Sequence, residues 1–244
     1  MKLTKVALAG AVSLSVLAGG TSALAADGGT MNSKAFIQFE KNTDIVKPVS
    51  PLDPNIEVET KDPNDPKDPH EPGTAGPLSI DYVSNFQFET HKASGNNEVY
   101  YASLDSVTEK GVSDKTEVPN YVQVTDNRGT NAGWKLSVTQ NDQFKTADNK
   151  ELTGAALTLK NGTPNSAAGS DAPTAAQDIT LTPGQASDVL TAQEDQGMGT
   201  WVNTFGKSVE DAKKSVELSV PGKTKKEQAQ YTTSLTWELK DAPM

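Results

Sequence analysis

Gly133-Trp134-Lys135-Leu136-Ser137-Val138-Thr139-Gln140 alternates apolar and polar side chains without a break. Trp134, Leu136 and Val138 fall on one side, and Lys135, Ser137 and Thr139 on the other. Successive side chains of a strand point to opposite faces, so this is the pattern of a strand with one buried and one wet face. The pattern recurs near the end of the chain. There Tyr231, Thr233, Leu235, Trp237 and Leu239 alternate with Thr232, Ser234, Thr236, Glu238 and Lys240. Each stretch carries a Trp-x-Leu tripeptide whose Trp and Leu share a face while the middle residue points the other way. If the two strands are neighbours, Trp134 lies beside Trp237, Leu136 near Leu239, and Lys135 and Glu238 can meet on the outer face.

Working outward, the same two-residue period continues through most of the chain. Residues 78–82, 86–88, 99–104, 121–125, 155–160, 179–182 and 216–220 read as further strands, separated by Gly, Asn, Asp and Pro. Short strands with such punctuation predict an all-β domain over residues 78–244, an antiparallel sandwich or barrel-like fold. Residues 161–178, rich in Ala, Ser, Gly and Pro, read as a long surface loop, and 205–215 as a site for one helical turn.

The N-terminal third is organised differently. Lys2 and Lys5 precede a short apolar run over 6–18, and Ala23-Leu24-Ala25 is a small-x-small cleavage site, so residues 1–25 read as a signal peptide. That run is too short for a membrane span, and no other approaches one, so no direct membrane insertion is expected. Residues 26–46 contain an alternating stretch at 35–40, read as a short strand. Residues 47–77 hold eight of the fourteen prolines, with Asp62-Pro63, Asp65-Pro66, Asp68-Pro69 and Glu71-Pro72 in close succession. Proline fixes its own φ and restrains its predecessor, so this segment predicts an extended acidic linker.

Charge narrows the partners. Loss of Lys2 and Lys5 with the signal takes the formal charge from −10 to −12. So acidic a chain, with no basic stripe, argues against nucleic acid. There is no Cys, so stability must come from the core rather than from disulfides, and a lipid anchor on cysteine is ruled out. No sorting signal or hydrophobic tail follows Leu239, so retention on a cell is expected to rest on the fold itself.

An exported, cysteine-free chain with two Trp-x-Leu strands resembles the WxL domain family of Gram-positive surface proteins. Four phrases carry the resemblance, in order: residues 76–86 (Gly-Pro-Leu-Ser-Ile-Asp-Tyr-Val-Ser-Asn-Phe), 134–138 around the first tripeptide, Gly197-Met198-Gly199-Thr200-Trp201, and Thr236-Trp237-Glu238-Leu239. The large N-terminal adhesive region of many relatives is missing. The resemblance implies non-covalent attachment to the cell wall, with peptidoglycan as ligand, within a multi-protein surface complex. It implies membrane-anchored WxL-interacting proteins and other WxL proteins as partners. An adhesin for host extracellular matrix and a wall-acting hydrolase are the alternatives.

The site residues have two readings each. Trp134, Leu136, Trp237 and Leu239 are either core, as their apolar faces suggest, or a platform whose rings stack on sugar. Trp201 and Phe205 follow a Gly-rich stretch and read as a loop pair, exposed or buried. Lys223, Lys225 and Lys226 form a basic tip after Pro221-Gly222, either a solubilising turn or a contact for anionic wall polymer. No nucleophile–base pair is visible, and two His without Cys do not suggest zinc, so no catalytic residue, metal or cofactor is expected.

Overall fold

The computed structural model describes residues 30–60 and 70–241. The expected signal peptide, its cleavage point and the Asp-Pro pairs between 62 and 69 lie outside the described residues. The chain divides into two units, residues 1–38 and 39–244. In the first, residues 30–38 contain no strand, and Met31, Phe36 and Ile37 are exposed. The strand expected over 35–40 is therefore not formed. A strand needs a ladder partner for its backbone groups, and alternation alone supplies none.

The second unit is almost wholly β. Its strands are β1 (Val58–Glu59), β2 (Leu78–Val83), β3 (Glu98–Tyr101), β4 (Asp105–Glu109), β5 (Lys115–Val118), β6 (Tyr121–Asp126), β7 (Trp134–Gln140) and β8 (Ala156–Lys160). They continue with β9 (Gly162–Asn165), β10 (Thr174–Ala175), β11 (Asp178–Thr180), β12 (Ala186–Ala192), β13 (Gly199–Phe205), β14 (Val216–Val220) and β15 (Leu235–Lys240). One helical turn, α1 (Val209–Ala212), is capped by the Ser208 hydroxyl accepting from Asp211 N–H. Among the described residues no helix is long and apolar enough to cross a membrane.

Three four-stranded antiparallel sheets, β10-β12-β7-β15, β11-β8-β14-β3 and β2-β6-β13-β9, each send side chains into one core, giving the barrel-like all-β domain the alternation indicates. Trp134, Leu136 and Leu190 come from the first sheet, Leu157, Leu159 and Val216 from the second, and Val122, Trp201 and Phe205 from the third. The third sheet is buried on both faces. Its outer side packs Tyr82, Tyr121 and Val202 against Val58, Val107 and Val118 of a small β1-β4-β5 sheet. A bulge in β2 between Ile80 and Tyr82 allows this. It keeps Ile80 on the main core while turning both Asp81 and Tyr82 outward.

The described parts of the expected linker differ from a solvated spacer. Val49 N–H donates to Gln123 Oε1 at 2.8 Å, and Gln123 Nε2 donates to the Lys47 carbonyl at 3.1 Å. Ser50, Pro51 and Val58 are buried, and β1 pairs with β4. Proline content favours extended backbone but does not forbid packing. Val49, Ile56 and Val58 supply the apolar surface that docks this strap over the third sheet. The expected 161–178 loop likewise contains β9 and β10.

Candidate functional site

The two Trp-x-Leu strands are neighbours. β7 lies between β12 and β15, with Leu136 opposite Leu239, Val138 opposite Trp237 and Lys135 opposite Lys240. Trp237 pairs with Val138 rather than with Trp134, so the register is four residues off the arrangement that would set the two tryptophans against one another. Lys135 instead pairs with Asp188 of β12 at 3.1 Å, and Glu238 with Lys240 at 2.7 Å, so the expected Lys135–Glu238 contact is not formed.

Trp134 is wholly buried, as is Leu136. The Trp134 indole donates to the Gly197 carbonyl at 3.0 Å, and the Trp201 indole donates to the next carbonyl, Met198, at 3.1 Å. Two tryptophans from different sheets thus hook one turn. That turn holds Asp195, Gly197 and Gly199 at positive φ, which lets its backbone close over the Trp134 ring. A Cβ on Gly197 would lie 2.7 Å from Trp134 Nε1 and 2.6 Å from Ala192 Cβ. Trp237 and Leu239 are half-buried, because β15 is the outer strand of its sheet. The Trp237 ring lies 6.4 Å from that of Phe205, which in turn meets Phe86 edge-on at 6.0 Å.

The structure therefore places Trp134, Leu136, Trp201 and Phe205 in the core, and Trp237 and Leu239 at its margin. Trp201 and Phe205 belong to β13 rather than to a loop. Lys223 and Lys225 are exposed, whereas Lys226 folds back, its Nζ donating to the Pro221 and Thr224 carbonyls at 3.2 and 3.3 Å. This tip follows β14, in a different sheet, and is not brought to the Trp-x-Leu pair.

The opposite face of the β10-β12-β7-β15 sheet is polar. Alternation and register put Lys135, Ser137 and Thr139 of β7 beside Thr236, Glu238 and Lys240 of β15 on one side, and Asp188 and Thr191 of β12 on the other. Asn141 extends it, donating to Ser234 Oγ at 2.9 Å and accepting from Thr236 Oγ1 at 3.0 Å. Hydroxyls, amides and single charges of both signs can hydrogen-bond to the hydroxyl and amide groups of a glycan or peptide. Among the described residues no three His, Cys, Asp or Glu side chains gather as a metal site.

One residue that sequence reading passed over holds this face in place. Arg128, the chain's single arginine, forms a bidentate pair with Asp126 at 2.9 and 2.7 Å and donates to the Gly133 carbonyl at 2.7 Å. Its other nitrogen meets Asp241 at 2.5 Å. The guanidinium thus ties the end of β6, the start of β7 and the end of β15 together. Hydrogen bonding to Asp126 holds its pKa above the ordinary value. The available signal was compositional: a lone Arg in a lysine-rich chain marks a site where a planar fork is needed.

The described core is thus built on two adjacent Trp-x-Leu strands, with a polar sheet face above them. The family model for the WxL domain, described as surface cell wall-binding, matches residues 26–243, and the chain belongs to that family. It is a cell-wall-binding protein of the cell surface, from a family of binding domains rather than enzymes. No curated protein matches the chain, and no solved structure does.

Proposed function

We propose that the ligand is peptidoglycan, bound non-covalently and without chemistry, and that the polar face of the β10-β12-β7-β15 sheet is the contact surface. The observation that carries this is the direction of the paired motifs. Both tryptophans point inward, so the tripeptides shape the surface from beneath while Lys135 and Glu238 stand on it. The chain's net charge of −10 repels a polyanionic wall in bulk, so short-range hydrogen bonds must supply the affinity. The protein acts in a surface assembly with other wall-bound proteins and membrane-anchored proteins of the WxL-interacting type, as the family resemblance implies.

Pull-down on purified sacculi, with and without teichoic acid, tests the reading. Ser137→Glu with Thr139→Glu is expected to abolish sedimentation with sacculi at an unchanged melting temperature. Retained binding rejects this face as the contact. Loss of binding by Trp237→Phe at unchanged stability assigns the contact to the ring instead. Release of soluble muropeptides from the sacculi rejects the non-catalytic reading.

A further inference from the structure

We propose that residues 35–39 of one copy add as an extra strand to the β3 edge of a second copy. β3 is the outer strand of the β11-β8-β14-β3 sheet. Ala102 N–H donates to the Val216 carbonyl at 3.0 Å, which fixes the parity of the ladder. Residues 98, 100 and 102 bond to β14, and the peptide groups of Val99 and Tyr101 turn away from the sheet. Just beyond, Ser103 N–H on this same side donates to the carbonyl of Gln87, a residue outside any strand, at 2.8 Å. Backbone on this side of the edge thus already bonds outward one residue past β3.

Natural edges are usually guarded by charge, proline or a bulge. This one exposes Val99 at 46% and Tyr101 at 40%, beside a groove of about 300 Å³ lined by Asn97, Glu98, Val99, Ser219, Val220 and Pro221. The donor is equally unusual. Phe36, Ile37 and Phe39 are 80–89% exposed, in a proline-free alternating stretch that has the pattern of a strand but is not one in the single chain. Five residues match the four of β3, and Ile37 and Phe39 share a face that can cover Val99 and Tyr101. Lys34 and Lys41 flank the donor and Glu98 begins the acceptor, so the end charges are complementary. Main-chain hydrogen bonds would supply affinity and the side-chain alternation the register. Because donor and acceptor are different surfaces, the contact is heterologous, closing as a reciprocal pair or propagating as a chain of copies.

Sedimentation velocity on the exported chain tests this. Mass should rise with concentration in the wild type. Ile37→Lys blocks the donor. Val99→Pro blocks the acceptor, since it removes an outward N–H without touching the β14 ladder. Each should weaken self-association at least tenfold, and an equimolar mixture of the two should form a 1:1 complex, because it unites an intact donor with an intact edge. Tyr101→Lys replaces Val99→Pro should the latter fail to fold, which circular dichroism reads. A wild type that stays monomeric throughout overturns the proposal. So do blocked variants that associate like wild type, and so does a mixture that stays monomeric.

Discussion

Gly197→Ala separates the packing role of the Gly-rich turn from its backbone role. Gly197 has φ +72, so any L side chain there bears the left-handed penalty of about 1–2 kcal/mol. Its Cβ would also lie 2.7 Å from Trp134 Nε1 and 2.9 Å from Cε2, with Ala192 Cβ at 2.6 Å. None of these neighbours is the far end of a flexible side chain, so the ring or the turn must move. Overpacking of this kind costs about 1–3 kcal/mol. The total is about 2–5 kcal/mol, which for a domain of this size lowers the melting temperature by roughly 5–20 °C. Gly184 is the control: its φ is +78, yet a Cβ there meets nothing within 4 Å. Gly184→Ala should therefore cost only the backbone part, about 1–2 kcal/mol. Urea unfolding followed by tryptophan fluorescence reads both variants. Equal losses would refute the close packing of the turn on Trp134. Sacculus binding well below the melting temperature should survive Gly197→Ala, since the outer face is untouched.

Trp134→Ala should cost about 3–5 kcal/mol and the half-buried Trp237→Ala about 2 kcal/mol by urea titration, whereas indistinguishable values would contradict their different depths. Arg128→Lys keeps the charge but loses the bidentate fork, and should cost about 1–3 kcal/mol with faster amide exchange in β15; exchange unchanged there would show that Asp241 does not depend on the guanidinium. Burial raises the Asp81 carboxyl above its ordinary pKa, against hydrogen bonds from Ser79, Thr125 and Gln123 that lower it. The folded state therefore binds that proton more tightly than the unfolded one, and this group's contribution to stability declines as pH rises from the ordinary carboxylate value through the raised one. Asp81→Asn should flatten that decline, read as a smaller melting-temperature difference between mildly acidic and neutral pH, and an unchanged slope would exclude Asp81 as its source.

Strands with one wet face were legible because they alternate. β7 and β14 fall where the period of two put them, each alternating buried and half-buried residues. β13 reads as a loop in the sequence because it is buried on both faces and opens on Gly199, so neither alternation nor composition marks it. β12 was hidden by a bulge that turns Val189 and Leu190 inward together and breaks its period. β9 carries Pro164, which only an outer strand tolerates. The adjacency of the two tripeptides was legible from shared patterning, but their offset was not. Register is set by pairing along the whole ladder, and the clamp at Arg128 has no periodic trace in the sequence.

The topology also has a consequence for the order in which the sheets can close. Among the ladders between described strands, only β4 and β5 pair as consecutive elements; β2 waits for β6, β6 for β13, and β7 for β15. Non-local pairings of this kind nucleate slowly, because long loops must close before any contact compensates. The strand bearing the second tripeptide, β15, is also the last of the described strands in chain order. Until it pairs, the β7 edge stays open and Trp237 cannot cover Phe205. Closure of the Trp-x-Leu sheet is therefore a late event in folding, and an open β7 edge is the feature that a partly folded chain exposes.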